Sequence, residues 1–164
     1  MPNPLISQGS LNRLIAAVQW NDPDMDSFNI TASYLGKDGI RLALDGIATT
    51  FINTMTGAVT SPEPYQSVSL TIALLKSQPI AKAYKNRVES NALMGACTIY
   101  PDSGVLPVYV LQNCALESLR EMSYNGEDAG WVISVKGYYE INAFMWDYLP
   151  LVEAGAPGVA PPGF

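Results

Sequence analysis

The chain has 164 residues, 48% of them hydrophobic, with nine Lys and Arg residues against fifteen Asp and Glu residues and no histidine. This length predicts one globular domain with a sizeable core, while the net charge of -6 disfavours a protein that binds nucleic acid by neutralising its phosphates. The lack of histidine excludes Ser-His-Asp and Cys-His nucleophilic catalysis and the commonest zinc-ligand sets.

No stretch of the chain approaches the roughly 18 consecutive apolar residues of a membrane-spanning helix. The start, Met1-Pro2-Asn3-Pro4, also lacks the basic and apolar regions of a signal peptide. We therefore expect a soluble protein that is made in a cytoplasm and contacts no membrane. Residues 1–10 are expected to form a short N-terminal arm.

Apolar and polar residues alternate in the first part of the chain, a period typical of half-buried strands. The first such run covers residues 14–20, and residues 28–34 alternate in the same way. Asp38-Gly39 then supplies a turn in which a positive φ costs little. We therefore predict a hairpin whose second strand covers residues 40–44.

The segment from Asp45 to Tyr65 separates two strand-like runs and lacks a clear period of its own. Loops much longer than ~12 residues are usually functional, and this one would expose several large apolar side chains to water. We predict a contact surface in this segment, formed by Phe51, Ile52, Met55, Thr56, Gly57 and Val59.

The clearest predicted strand runs from Gln66 to Lys76, because its residues divide into one apolar face and one small, polar face. The polar face carries Ser67, Ser69 and Thr71.

One helix is predicted directly after this strand, over residues 79–90. Pro79 suits a first helical turn, and Ile80, Tyr84 and Val88 form an apolar stripe at i, i+4 and i+8. The opposite face of the helix carries Lys82, Lys85 and Arg87.

Strand character returns at Met94–Tyr100, breaks at Pro101–Gly104 and resumes from Val108 toward Tyr124. The apolar parity slips late in this second run, which predicts a bulge near Glu117 and Ser118.

A last strand is predicted after a turn at Asn125-Gly126, with Trp131, Ile133 and Val135 on its inward face. It ends near Tyr138-Tyr139. We expect Trp20, Trp131 and Tyr138 to lie in the core rather than on an exposed aromatic surface.

The final stretch, residues 142–164, is predicted to be an arm without a regular element, because prolines and glycines crowd its second half. Phe144, Met145, Trp146 and Tyr148 are apolar anchors that a solvated tail would not need. We therefore expect the arm to dock on its own domain, which covers residues 1–141, or on a neighbour.

The two cysteines, Cys97 and Cys114, lie in apolar strand-like runs and lack the spacing of metal ligands. Buried, reduced thiols are the prediction, and a disulfide is the alternative.

An acidic cluster at Asp22, Asp24 and Asp26 has the spacing that opens an EF-hand loop. Ser27 stands where that loop needs Gly, however, and Ser33 stands where it needs a bidentate Glu. We interpret the cluster as a solvated acidic loop between two strands.

Other candidate chemistry is equally incomplete. Gly36-Lys37-Asp38-Gly39 lacks the glycine-rich lead and the Ser or Thr of a phosphate loop, and Glu127-Asp128 are adjacent acids in a turn. We expect no catalytic residue, no cofactor and no metal.

Several pieces in this order and spacing resemble the tail tube family of contractile-tailed bacteriophages. They are Met1-Pro2-Asn3-Pro4-Leu5-Ile6, Gly9-Ser10-Leu11-Asn12-Arg13-Leu14, Met55-Thr56-Gly57-Ala58-Val59, Tyr124-Asn125-Gly126 with Asp128-Ala129-Gly130, and Gly137-Tyr138-Tyr139 with Asn142. The resemblance spans residues 1 to about 146, and the Pro-rich end is longer than the family's usual finish.

The resemblance implies a mainly β fold, either a β-sandwich or a partly rolled β-barrel with one flanking α-helix. Six copies would form a ring whose inner strands join into one closed barrel, and rings would stack into a tube inside a sheath. Such a homohexamer also contacts baseplate and tail-terminator proteins at the tube ends, conducts DNA without stable binding, and belongs to the virion after assembly in the bacterial host cytoplasm. It is a structural protein and not an enzyme.

The resemblance also assigns directions to the predicted surfaces. The Asp45–Tyr65 segment would project toward the adjacent ring and make the axial contact, while the basic helix face would meet the sheath. Small polar and acidic side chains would line the lumen, since a basic wall would bind phosphates and stall ejection. The lumen candidates are Ser67, Ser69, Thr71, Glu117, Glu121 and Asp45.

Three alternatives stay open at the level of sequence. The nearest is another tube of the same lineage: an R-type pyocin tube, a type VI secretion ring protein or a baseplate-proximal initiator. A monomeric β-sandwich binding module would show the same alternation of residues. An enzyme ranks third, because the chain offers no convergent chemistry.

Overall fold

The computed structural model describes residues 15–122, 124, 127 and 130–146. It is mainly β, since strands account for 57% of the described residues. The strands are β1 (Ala16–Trp20), β2 (Leu35–Leu44), β3 (Thr49–Thr54), β4 (Gly57–Pro62), β5 (Tyr65–Leu75), β6 (Leu93–Pro101), β7 (Tyr109–Met122) and β8 (Gly130–Glu140). The helices are α1 (Pro79–Ser90) and α2 (Ala143–Trp146), and two short 3-10 helices cover Pro23–Phe28 and Ala32–Tyr34.

Six strands form one antiparallel sheet in the order β1-β6-β7-β8-β5-β2. The sheet curls into a half-barrel, so a partly rolled sheet, rather than a two-layer sandwich, is the architecture. Strands β1 and β2 are its two edges, and β3 pairs only with β4 in a separate ladder. The barrel is therefore open along one side in the part of the chain that the structure describes.

The core lies on one face of this sheet, where the predicted alternation of β5 and β8 is confirmed. Val68, Leu70, Ile72 and Leu74 of β5 are buried. They pair across the ladder with Gly137, Val135, Ile133 and Trp131 of β8. Each large apolar side chain buried in this way contributes roughly 1.5 to 3 kcal/mol to folding.

Helix α1 begins and ends where the sequence predicted, and it buries Ile80, Ala81 and Tyr84. The Tyr84 hydroxyl accepts a hydrogen bond from Trp20 Nε1 at 2.9 Å and donates one to the Phe28 carbonyl at 2.7 Å. The helix is thereby tied to both the edge strand β1 and the segment that follows it.

The hairpin predicted over residues 28–44 is wrong. Asp22 caps the 3-10 helix at Pro23–Phe28 by accepting a hydrogen bond from the Asp24 amide, so this segment turns instead of extending. Gly39 has a φ of 61°, but it lies at a bulge inside β2, which pairs with β5. The local Pro and Asp signals outweigh the weak alternation of apolar residues.

The segment between β2 and β5 is a β-hairpin rather than an irregular loop. Strands β3 and β4 pair from Thr49↔Pro62 to Thr54↔Gly57. They extend the β2–β5 pair beyond the end of the six-stranded sheet, because β3 follows β2 and β4 precedes β5. We call residues 49–62 the distal hairpin.

Two further predictions are confirmed in β6 and β7. The β7–β8 register shifts between Leu116 and Ser118, which is the predicted bulge. Cys97 and Cys114 are free, buried thiols with their sulfurs 3.7 Å apart. A hydrogen bond to Cys114 and burial both raise the pKa of the Cys97 thiol, so this thiol is held in its protonated form.

The expected lack of regular structure after residue 141 is wrong for one short piece. Asn142 adopts a φ of 54° and Ala143–Trp146 then forms one helical turn, because the prolines of this end begin only at Pro150. Phe144 and Met145 are largely exposed on the surface of this chain. The rest of the predicted arm, the N-terminal arm and the Asn125-Gly126 turn lie outside the described residues.

Candidate functional site

Chemistry that would mark an active or metal site is sparse in the described part of the chain. Its residues contain no group of three or more His, Cys, Asp or Glu side chains that could hold a metal ion. No helix among them is both long and apolar enough to cross a membrane. The distinctive features are surfaces, of which we describe a polar sheet face, the distal hairpin, a basic helix face and an apolar groove.

The polar sheet face is the side of the half-barrel sheet opposite the core. Register places Ser67, Ser69 and Thr71 of β5 beside Tyr138, Lys136 and Ser134 of β8 on this face. Asp45 accepts a hydrogen bond from Ser69 Oγ. Glu117 accepts one from Ser134 Oγ at 3.0 Å.

Five of the six lumen candidates therefore share one surface, which cross-strand pairing creates. The side chain of the sixth, Glu121, lies outside the described residues.

An ion pair organises this face. Lys136 Nζ lies 2.7 Å from Glu117 Oε1. The hydrogen bonds from Lys136 and Ser134 hold the pKa of Glu117 below its usual range, and the bond to Glu117 raises the pKa of Lys136. The Lys136 ammonium is thereby neutralised locally.

The charge on this face is mixed rather than purely acidic, which the sequence did not predict. Arg41 pairs with Thr71 across β2 and β5, so it joins Lys136 beside the acids Asp45 and Glu117. The sequence could have indicated this cation, because Arg41 alternates with the apolar residues Ile40 and Leu42 and must therefore point to the opposite side of β2.

Tyr138 also lies on the polar sheet face, where it is 49% exposed and stacks edge-on against Tyr65 at 6.3 Å. The prediction that it is a core residue is wrong. Along β8, Tyr138 points to the same side as Ser134 and Lys136. Trp131 shares the buried side with Ile133 and Val135, and Trp20 is buried in β1, so the core prediction is confirmed for both tryptophans.

The distal hairpin is a solvent-exposed apolar surface on a fixed base. Its base is held by hydrogen bonds from the Asp45 and Gly46 amides to the Ser67 carbonyl and from the Glu63 amide to the Ala48 carbonyl. Asn142 Nδ2 donates to the carbonyls of Ala48 and Glu63 as well. The root of the hairpin is therefore tied to β5 and to Asn142, which follows β8.

The body of the hairpin, by contrast, is almost entirely exposed. The predicted contact residues Phe51, Ile52, Met55 and Val59 are between 54% and 105% exposed. Met55 and Thr56 form the turn at the tip, and Gly57 begins β4. Residues 46–62 carry no charge. An exposed surface that is apolar and uncharged is typical of a binding surface.

The basic helix face is only partly available. Lys82 is exposed, whereas Lys85 pairs with Glu89 at 2.7 Å and Arg87 donates to the Leu93 carbonyl at 2.7 Å. Arg87 is half-buried, so its guanidinium helps to hold α1 against the start of β6.

The apolar groove lies between the two edges of the half-barrel and was missed by the sequence. It has a volume of about 470 Å³. One wall carries Leu35, Ile40 and Leu42 of β2, and the other carries Ile99, Leu106 and Tyr109. Among the described residues that line it, Lys37 is the charged one. No local pattern could have revealed this groove, since its walls are remote in sequence.

Comparison with known proteins adds no identification. No protein-family model matches the chain. No curated protein shows significant similarity to it. The role of these surfaces must therefore follow from their geometry and chemistry.

Proposed function

We propose that this protein is the repeating structural subunit of a bacteriophage tail tube. Hexameric rings of it would stack into a hollow tube inside a contractile sheath and conduct DNA during ejection. The observation that carries the proposal is the combination of an open, curled sheet with a fixed, uncharged hairpin that projects beyond it. The resemblance to the tail tube family supplies the specific assembly.

Lateral association is supported by the sheet edges. An exposed edge strand presents unpaired amides and carbonyls to any other strand, and proteins normally cover such edges. Here β2 is a ten-residue edge. The other edge, β1, is partly covered, because Val18 bridges Ile30 and the Trp20 amide donates to Asn29 Oδ1. Six copies joined edge to edge would cover what remains exposed of the two edges, and rotational symmetry would close the ring.

Axial association is supported by the distal hairpin. A two-stranded hairpin is marginally stable alone, and the described part of this domain leaves the hairpin's apolar side chains exposed. Contact with an adjacent ring would bury them.

The polar sheet face is the candidate lumen wall. Its acids lie beside its cations Lys136 and Arg41, and Lys136 is paired with Glu117. This limits the attraction for phosphates and suits passage of DNA without stable binding. On the outside, Lys82 and Lys85 would face the sheath, and baseplate and terminator proteins would cap the tube ends. The protein would then belong to the virion and act without catalysis.

Negative-stain electron microscopy of the purified protein tests this function. We expect six-fold rings and stacked tubes. A strictly monomeric protein at high concentration, without rings on grids, would sink the proposal and would favour the monomeric binding module.

A deletion of Asn53 to Val59 tests the role of the hairpin. Because the hairpin contributes little to the core, the deleted subunit should unfold with nearly wild-type stability in urea and yet form no tubes. Tubes of normal length from this deletion would refute the axial assignment.

A further inference from the structure

The distal hairpin carries apolar side chains on both of its faces. Ile52 and Val59 are directly paired across β3 and β4, so they form one aliphatic patch. Phe51 and Thr60 occupy the opposite face. Met55 at the tip is fully exposed, and Ile52 and Val59 are each more than half exposed.

The apolar groove has the matching chemistry. Its walls are aliphatic and aromatic, it is partly open to solvent, and Lys37 is the charged residue among the described residues that line it. Interface centres are depleted in charge and filled by large apolar anchors. An uncharged hairpin and a nearly uncharged groove therefore suit each other, whereas either surface would exclude a charged segment.

The two surfaces are separate, because none of the residues that line the groove belongs to the hairpin. A contact between two different patches of identical molecules is head-to-tail, and it repeats from copy to copy. Such a contact gives an assembly with one hairpin end and one groove end.

We propose that the groove between β1 and β2 receives the Ile52–Val59 patch and the Met55 tip of the distal hairpin from a second copy of this chain. The inference rests on the proposed function, and it names the receiving surface of the ring-to-ring contact. The hairpin's other face, with Phe51, then meets a different neighbour, so that each hairpin lies between two copies.

Charge placed in the groove tests the proposal. Leu106 lines the groove, while its neighbour Val105 is 91% exposed and lies outside the lining. Leu106→Asp should raise the protein concentration needed for tubes at least roughly tenfold, because a buried charge without a partner opposes docking. Val105→Asp is the matched control and should polymerise normally. Equal effects of the two substitutions would overturn the proposal.

Cysteine cross-linking identifies the occupant of the groove without depending on tube yield. We expect Val59→Cys protein mixed with Leu106→Cys protein to give disulfide-linked dimers, whereas Thr60→Cys, on the opposite hairpin face, gives few. Cys97 and Cys114 are buried and stay as a common background.

Each outcome of this experiment decides a separate point. Tubes without the Val59–Leu106 cross-link would overturn the groove assignment and leave the tube function standing. A cross-link within one chain between Leu106→Cys and Leu5→Cys would give the groove to the N-terminal arm instead. Absence of rings and tubes from every variant and from wild type would refute the proposed function itself.

Discussion

The Tyr84 hydroxyl connects α1 to the edge strand β1 and to the 3-10 helix that follows it. It bonds the Trp20 indole and the Phe28 carbonyl, and burial raises its pKa, so it remains a donor across the ordinary pH range. Tyr84→Phe would leave a buried indole N–H without a partner. We expect the free energy of unfolding to fall by about 1 to 3 kcal/mol.

Urea unfolding checks this value, with Tyr100→Phe as the control. Tyr100 is 46% exposed, so its substitution should change stability by less than about 0.5 kcal/mol. A Tyr84→Phe protein as stable as wild type would contradict the role given to the hydroxyl.

Glu117 gives the polar sheet face a pH dependence. Its pKa is lowered in the folded state by Lys136 and Ser134, so the unfolded chain binds a proton more readily. The pair therefore stabilises the fold above the ordinary carboxyl pKa, and this contribution is lost as the pH falls through the lowered pKa of Glu117. We expect Glu117→Gln to reduce the loss of stability on acidification.

Unfolding free energies measured from neutral to acidic pH test this expectation. Lys136→Met removes the other partner of the pair and should likewise reduce the loss of stability on acidification. Identical profiles for wild type and Glu117→Gln would show that the pair contributes nothing.

At the scale of elements, the distal hairpin depends on a close approach at its root. A Cβ at Gly46 would lie 2.6 Å from the Ser67 amide nitrogen, so the backbone of β5 or of the turn would have to move. Gly46→Ala should lower the free energy of unfolding by about 1 to 3 kcal/mol and change the direction in which the hairpin projects. We expect folded subunits that stack poorly.

Gly104→Ala is the matched control, since nothing lies within 4 Å of a Cβ at that position. Thermal unfolding measures the loss of stability, and tube counts on grids measure stacking. Wild-type tube formation by the Gly46→Ala protein would show that the angle of the hairpin does not limit stacking.

At the scale of the whole molecule, charge is segregated between α1 and the rest of the chain. Lys82 and Lys85 lie on the exposed side of the helix, in a protein with a net charge of -6. If this side faces a sheath, exchanging both residues for Glu should abolish co-assembly with sheath protein and leave bare tubes unaffected. Sedimentation of tubes with sheath protein measures the effect.

Replacing the same two lysines by Arg keeps the charge and should keep sheath binding. Added salt should weaken binding of the wild type, because exposed charges are screened over about 10 Å at 0.1 M ionic strength. Sheath binding that survives both the Glu exchange and high salt would show that the lysines of α1 do not contact the sheath.

The sequence predicts correctly the elements whose residues carry their own period. It located α1, the two faces of β5, the inward residues of β8 and the bulge at Glu117, because side-chain direction alternates along a strand and repeats along a helix wherever one side is buried. It also placed three lumen candidates, Ser67, Ser69 and Thr71, on one face.

Contacts between remote segments are visible only in the folded chain. They turn Pro23–Phe28 and Ala32–Tyr34 into 3-10 helices, the first of them against α1. They also bring Asp45 and Glu117 to the polar sheet face and leave an apolar groove between β1 and β2. Local alternation states which side of a strand is apolar, but strand order and curvature decide which strands are neighbours, and therefore which apolar sides remain uncovered.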